Sequence, residues 1–346
     1  MSDMRSGGGN EDGAARLLAA ARARVAAIAA DLALPSELRL SDRQRGVVTS
    51  LFAALVGDAE DALRGTLLAR LPADAPETLR AALGSASLPI ALPLLEAGPL
   101  VSVPQLLPLL LRRAEEHRLA AAGADHGLLA NLAGDEDTAI AAEAMGLLIG
   151  LNSRFDAFHE PLLGRSDLPA DLRHRLLWTV AAALRRYMVS RHGVDAAAAD
   201  AALAGATNAA LPRYDEADGV EARAMRLAGL MAARGCLGDA VVAQAAEEGN
   251  LPLLLATLAV RTGLGFEPAW ELLADTSGAG AALLLRAAGF DRGAAASILF
   301  RVAASDAAAA ALADRFDTLS DADVSRLVAP WRADPAYRAA IAELAA

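Results

Sequence analysis

What most limits the folds open to this chain is its punctuation. Eight of its fifteen prolines follow a leucine, at Leu34-Pro35, Leu71-Pro72, Leu88-Pro89, Leu92-Pro93, Leu107-Pro108, Leu168-Pro169, Leu211-Pro212 and Leu251-Pro252. Proline is tolerated in the first turn of a helix and excluded from its interior, so Leu-Pro reads as a helix start. The steps from Leu34 to Leu71 to Leu107 are 37 and 36 residues, and those from Leu168 to Leu211 to Leu251 are 43 and 40. Such steps match stacked helix-pair repeats. The residues between them suit helices, because the chain is 55% hydrophobic but only 4% aromatic. Burial must therefore come from many small contacts of leucine and alanine, the two strongest helix formers. The expected fold is all-α: a HEAT-like α-solenoid, or irregular helical-repeat superhelix, with a C-terminal helical block.

Local signals place the pieces. Residues 1–12 are polar and glycine-rich and read as a disordered tail. Residues 13–192 read as an N-terminal HEAT-like block, 193–218 as a helix and linker, and 219–346 as a C-terminal helical block. Ser41 with Gln44 matches a capping box opening a helix through Leu51, Phe52 and Leu55, and Asp58 is expected to cap a further helix ending near Leu71. Short helices are expected over 76–83, 88–96, 103–122, 125–133, 136–150 and 154–163. The longest runs from about Pro169 to Arg191, with Leu172, Leu176, Leu177, Val180, Leu184, Tyr187 and Met188 on one face. Asp291, Ser305, Ser320 and Asp334 stand where later helices should be capped.

One stretch carries a resemblance. Leu162-Leu163-Gly164-Arg165-Ser166-Asp167-Leu168-Pro169-Ala170-Asp171-Leu172, continuing through Leu176, Trp178, Val180 and Leu184, resembles the bacterial domain-of-unknown-function family 2336. Gly249-Asn250-Leu251-Pro252-Leu253-Leu254 and Leu283-Leu284-Leu285-Arg286-Ala287-Ala288-Gly289-Phe290-Asp291 are similar to it as well. The likeness spans most of residues 40–303. It implies a HEAT-like helical protein of mainly alphaproteobacterial distribution and brings no catalytic residues with it.

Composition narrows the chemistry. The net charge is -11, with 43 acidic residues against 32 basic ones, and every basic residue is arginine. Without lysine there is no phosphate-loop lysine, Schiff base or lysine general base. An acidic chain with no basic tail is not built for nucleic acid. Cys236 stands alone, which excludes a disulfide framework and reads as a small buried hydrophobe. The five histidines (His117, His126, His159, His174 and His192) include no pair at H-x-x-x-H spacing, and no metal or cofactor is expected. Glu115 and Glu116 read as a solvated helix face, and Asp135-Glu136-Asp137 as helix capping. Residues 81–111 are the most membrane-like, but their prolines rule out a spanning helix. With no signal-peptide core at the amino terminus, the expected location is cytoplasmic.

One constellation survives. At about 100° per residue, His174, Arg175, Arg185, Arg186 and His192 gather opposite the leucine face of the 169–191 helix, with Trp178 among them. A tryptophan ringed by arginines is a candidate hot spot for a protein partner, and arginine forks also suit a phosphate-bearing ligand such as a nucleotide or cyclic dinucleotide. A weaker basic spot is Arg112-Arg113 with Arg118. The expected function is a non-enzymatic scaffold or adaptor for a protein partner, in bacterial signalling or cell-cycle regulation; the alternative is a sensor of a small phosphate-bearing anion.

Overall fold

A computed structural model describes residues 41–344, apart from 86, 96–105, 124–126, 212–218, 276–277, 304, 335–336, 339 and 341–343. The expected disordered tail and residues 13–40 of the expected N-terminal block, with Leu34-Pro35, lie outside the described residues, as do Pro212 and His126. Met1–Arg43 and Gln44–Ala346 are separate units, and of the first only residues 41–43 are described.

Every regular element among the described residues is helical. In chain order they are α1 (Asp42–Leu68), α2 (Glu77–Gly84), α3 (Leu92–Leu95), α4 (Leu106–Ala122), α5 (Gly127–Ala133), α6 (Thr138–Asn152), α7 (Ala170–His192), α8 (Ala196–Ala210), α9 (Val220–Ala233), α10 (Asp239–Glu247), α11 (Leu251–Thr262), α12 (Phe266–Leu273), α13 (Ala279–Ala287), α14 (Arg292–Val302), α15 (Asp306–Thr318) and α16 (Asp321–Val328). Short 3₁₀ turns span Arg165–Asp167 and Ala329–Arg332. No helix among the described residues is long and apolar enough to cross a membrane.

The capping chemistry reads directly. Asp137 Oδ1 accepts from the backbone N–H of Ala139 and Ile140 to open α6. Asp291, Ser305 and Ser320 cap α14, α15 and α16 in the same way. The Leu-Pro marks divide. Pro93, Pro108 and Pro252 sit in the first turns of α3, α4 and α11, and Pro169 is the N-cap of α7, whereas Pro72 and Pro89 lie in connections. Pro76, with no leucine before it, caps α2.

Two expectations fail. Asp58 caps nothing: it lies inside one 27-residue helix, α1, where its carboxylate accepts from the Arg165 backbone N–H at 2.8 Å and from its guanidinium at 3.1 Å. A cap residue placed mid-helix found its partner across the fold instead. Residues 154–163 form no helix either. They make a hairpin-like loop closed by a bridge between Phe155 and Pro161, because Asp156 takes up the backbone donors a helix would need.

The buried side chains of the described residues form two cores. One gathers Leu51, Leu55, Leu63, Leu79 and Leu110 with Leu168, Leu176, Leu184 and Leu203. The other gathers Leu129, Ile140 and Leu147 with Leu227, Leu254, Leu258, Leu284, Ile298 and Phe316. Membership follows contact rather than chain order: residues 119–151 share a core with residues after 220. Helix α4 serves both, giving Leu106, Leu109 and Leu110 to the first and Leu119 to the second. Helix α11 runs through the second core, buried at nearly every position from Leu251 to Thr262, with α4, α9, α10, α12 and α13 around it.

Candidate functional site

The outer face of α7 is where the sequence placed its constellation. The helix buries Leu172, Leu176, Leu177, Val180, Leu184 and Met188, as the spacing requires, and half-buries Tyr187. Opposite them, Trp178 is 37% exposed. Its indole N–H donates to His174 Nε2 at 3.1 Å, and the two rings lie 6.2 Å apart. A donor one helical turn from an acceptor fixes the indole in place. Arg175 and Arg186 are exposed on this face, and neither makes an ion pair among the described residues.

Two members are engaged elsewhere. Arg185 holds Asp200 of α8 in a two-pronged pair, one prong at 3.1 Å. That bond lifts the guanidinium above its ordinary range and holds the Asp200 carboxyl below its own. His192 does not join the cluster: its ring packs edge-on to Tyr187, and its Nδ1 lies 3.3 Å from the Thr78 hydroxyl of α2. His174, Arg175, Trp178 and Arg186 are the members exposed on the outer face.

The weaker basic spot has a different character. On α4, Arg112, Arg113 and Glu116 lie between the leucines given to the two cores, and all three are buried. Glu116 is thus no solvated face. Arg113 donates to Glu116 at 3.0 Å and to Asp167 at 3.1 Å. Buried Arg154, at the root of the 154–162 loop, reaches both Glu116 oxygens at 3.2 and 3.0 Å, Asp167 at 3.4 Å and Glu221 of α9 at 2.7 Å. Arg112 completes the set with Glu267 of α12 and, at 3.5 Å, Glu221.

Electrostatics holds this seam charged. Burial pushes the Glu221 carboxyl up, but Arg154, Arg112 and Arg113 outweigh it and keep its pKa at about 2. Burial likewise opposes the charge on Arg154, yet Glu116, Glu221 and Asp167 carry its pKa above the ordinary arginine value. Arg113 goes the other way: burial and the neighbouring Arg154 pull it below its ordinary value despite the acids around it. Arg113, Arg154 and Glu116 are each paired by more than one hydrogen bond, the condition under which buried charge is tolerated.

Arg118 is also structural. Beyond its pair with Glu115, it donates to the Val302 carbonyl at 2.8 Å. Arg301 donates to the Ala122 carbonyl at 2.9 Å and to that of Glu247, and Arg332 to that of Thr262 at 3.3 Å. Each of these carbonyls is the last residue of a helix, where acceptors lack intrahelical partners and the dipole favours a cation. Cys236 departs from expectation: it is exposed, not buried. Its N–H closes the end of α9 onto the Met231 carbonyl at 2.9 Å, just past Gly235 at φ 73°. That glycine-led cap turns residue 236 outward.

Among the described residues, no group of three or more His, Cys, Asp or Glu is placed to hold a metal ion.

A profile of the bacterial family described as "Uncharacterised protein conserved in bacteria (DUF2336)" matches residues 90–329. The chain belongs to this family. The DUF2336 segment contains the whole α7 face and the whole seam, while α1 and α2 precede it. No curated protein and no solved structure matches the chain.

Proposed function

We propose that this DUF2336 chain is a non-enzymatic scaffold, a HEAT-like helical-repeat protein whose α7 outer face docks a protein partner. The observation that carries the reading is Trp178, an exposed indole oriented by His174 and flanked by two arginines with no described ion pair. Rigid aromatic anchors beside arginine are the usual composition of an interface hot spot. Successive helices that turn back on left-handed glycines, as at Gly193 and Gly263, support the helical-repeat description.

The alternative, a sensor of a phosphate-bearing ligand, is less favoured. Arg185 is already paired with Asp200, and Arg175 and Arg186 lie eleven residues apart, or about 16 Å along a helix axis. One phosphate does not span that distance, whereas a protein surface does. The test is Trp178→Ala combined with Arg186→Ala. Far-UV circular dichroism should stay unchanged, while a protein retained by the parent chain from bacterial lysate should be lost in quantitative mass spectrometry. Identical retained sets would remove the α7 face from consideration. Saturable thermal stabilisation by a cyclic dinucleotide, abolished in the same variant, would favour the sensor.

A further inference from the structure

The outer face of α6 and the loop that follows it carry exposed apolar side chains that neither the α7 face nor the seam explains. Ile140, Ala144, Leu147 and Leu151 turn into the second core, while Met145 and Ile149, one turn apart, stand 46% and 62% exposed. The helix then runs into the 154–162 loop, whose tip carries Phe158 at 85% exposure.

That tip is held in place. Asp156 Oδ1 accepts from the backbone N–H of Phe158 at 2.8 Å and of Glu160 at 2.9 Å. The Leu162 N–H closes the root onto the Arg154 carbonyl at 2.7 Å. His159 takes φ 60°, the one positive φ among the described non-glycine residues. A left-handed backbone at such a residue costs about 1–2 kcal/mol. The root, Arg154, is the most enclosed member of the seam, fixed to three acids from three elements. An exposed phenylalanine ordered at such cost is a preorganised anchor, because the ordering is complete before a partner arrives.

Charge selects the occupant. From residue 135 to 163 the chain carries Asp135, Glu136, Asp137, Glu143, Asp156 and Glu160, and its one arginine, Arg154, is buried. Asp135 is tied to Arg234, Asp137 to its cap, and Glu143 to Arg223 and Arg226. Exposed Glu136 and Glu160 stand before the start and after the end of α6, a helix about 22 Å long. Two copies of such a surface repel each other, as does an anionic membrane. We propose that the α6 face and Phe158 are a docking site for a cationic amphipathic helix of a partner protein. Its apolar stripe would lie over Met145 and Ile149, with Phe158 as the anchor and its basic residues toward Glu136 and Glu160. This site is separate from the α7 face and does not rest on it.

The test uses the full chain and a fluorescein-labelled model peptide of about 18 residues, an amphipathic leucine/lysine helix, read by anisotropy at physiological salt. A matched leucine/glutamate peptide is the charge control. The basic peptide should bind saturably, the acidic one should not, and Ile149→Asp and Phe158→Asp should each weaken binding by at least about tenfold. Circular dichroism melts should stay unchanged, since both side chains are exposed. The proposal is overturned if the basic peptide does not bind, if both peptides bind alike, or if neither variant matters. Trp178→Ala separates the two surfaces: loss of peptide binding in that variant alone would move the site to α7.

Discussion

Arg154→Met is the sharpest test of the seam. The substitution keeps much of the side chain's length and removes a guanidinium bonded to Glu116, Asp167 and Glu221. Glu116 is then left buried with Arg113 alone, and Glu221 keeps only the longer contact with Arg112. Breaking one partner out of a buried charge set costs about 3–5 kcal/mol, which lowers the folding equilibrium constant by a few hundred-fold or more. Urea titration followed by far-UV circular dichroism would read it as a fall in the midpoint at unchanged slope. Adding Glu116→Gln should restore part of the loss, with a coupling of at least about 1 kcal/mol, because the two groups are partners.

The pH dependence gives a second reading. Glu221 has a folded-state pKa of about 2 against an ordinary 4.5. Its contribution is therefore complete above about pH 4.5 and is lost as the pH falls toward 2. In Arg154→Met the strongest attraction on Glu221 is gone, so burial raises its pKa and protonation becomes easier in the folded state. The deficit relative to the parent should shrink as the pH falls from about 7 to about 3. A deficit under about 1 kcal/mol, or one unchanged over that range, would refute the claim that the seam is held by paired charge.

Gly249→Ala should be far more costly than Gly193→Ala. Both glycines have positive φ, but a Cβ on Gly249 would meet the Leu119 carbonyl oxygen at 2.2 Å, while at Gly193 there is open space. Calorimetry should show about 1–2 kcal/mol lost at Gly193 and clearly more at Gly249; equal losses would mean the helices do not approach as described. Asp137→Ala should cost about 1 kcal/mol through the lost cap of α6, read in the same urea titration, and Asp137→Asn should recover most of it. Cys236, being exposed, should react with a thiol reagent in the native state at a rate near that of the unfolded chain; strong protection would show that it is covered.

Some of this was legible in the residues. The leucine face of α7 follows from helical spacing, and Asp137, Asp291, Ser305 and Ser320 announced their caps because a short oxygen-bearing side chain before an apolar run has one dominant use. Gly263 ends α11 with a φ of 68°, the left-handed cap that glycine supplies. The seam was not legible. Arg112, Arg113 and Glu116 look like surface charge on α4, and Arg154, Asp167 and Glu221 are scattered along the chain. Their only shared signal is that Arg112, Arg113 and Glu116 interrupt α4 between two leucine clusters, and that becomes meaningful once two cores are known to meet there.

The sequence by itself therefore settled the helical class, most helix starts and the buried stripe of α7, because these depend on backbone preference and on periodicity within about four residues. Which helices share a core, and which charges face one another, was decided only by the tertiary structure. Burial energy depends on area and not on order along the chain, so 119–151 could join the helices after 220 while 163–211 joined α1 and α2. The same holds for Phe158: an apolar residue in a sequence predicts burial, and only the fold, by closing the 154–162 loop through Asp156, left the ring in water.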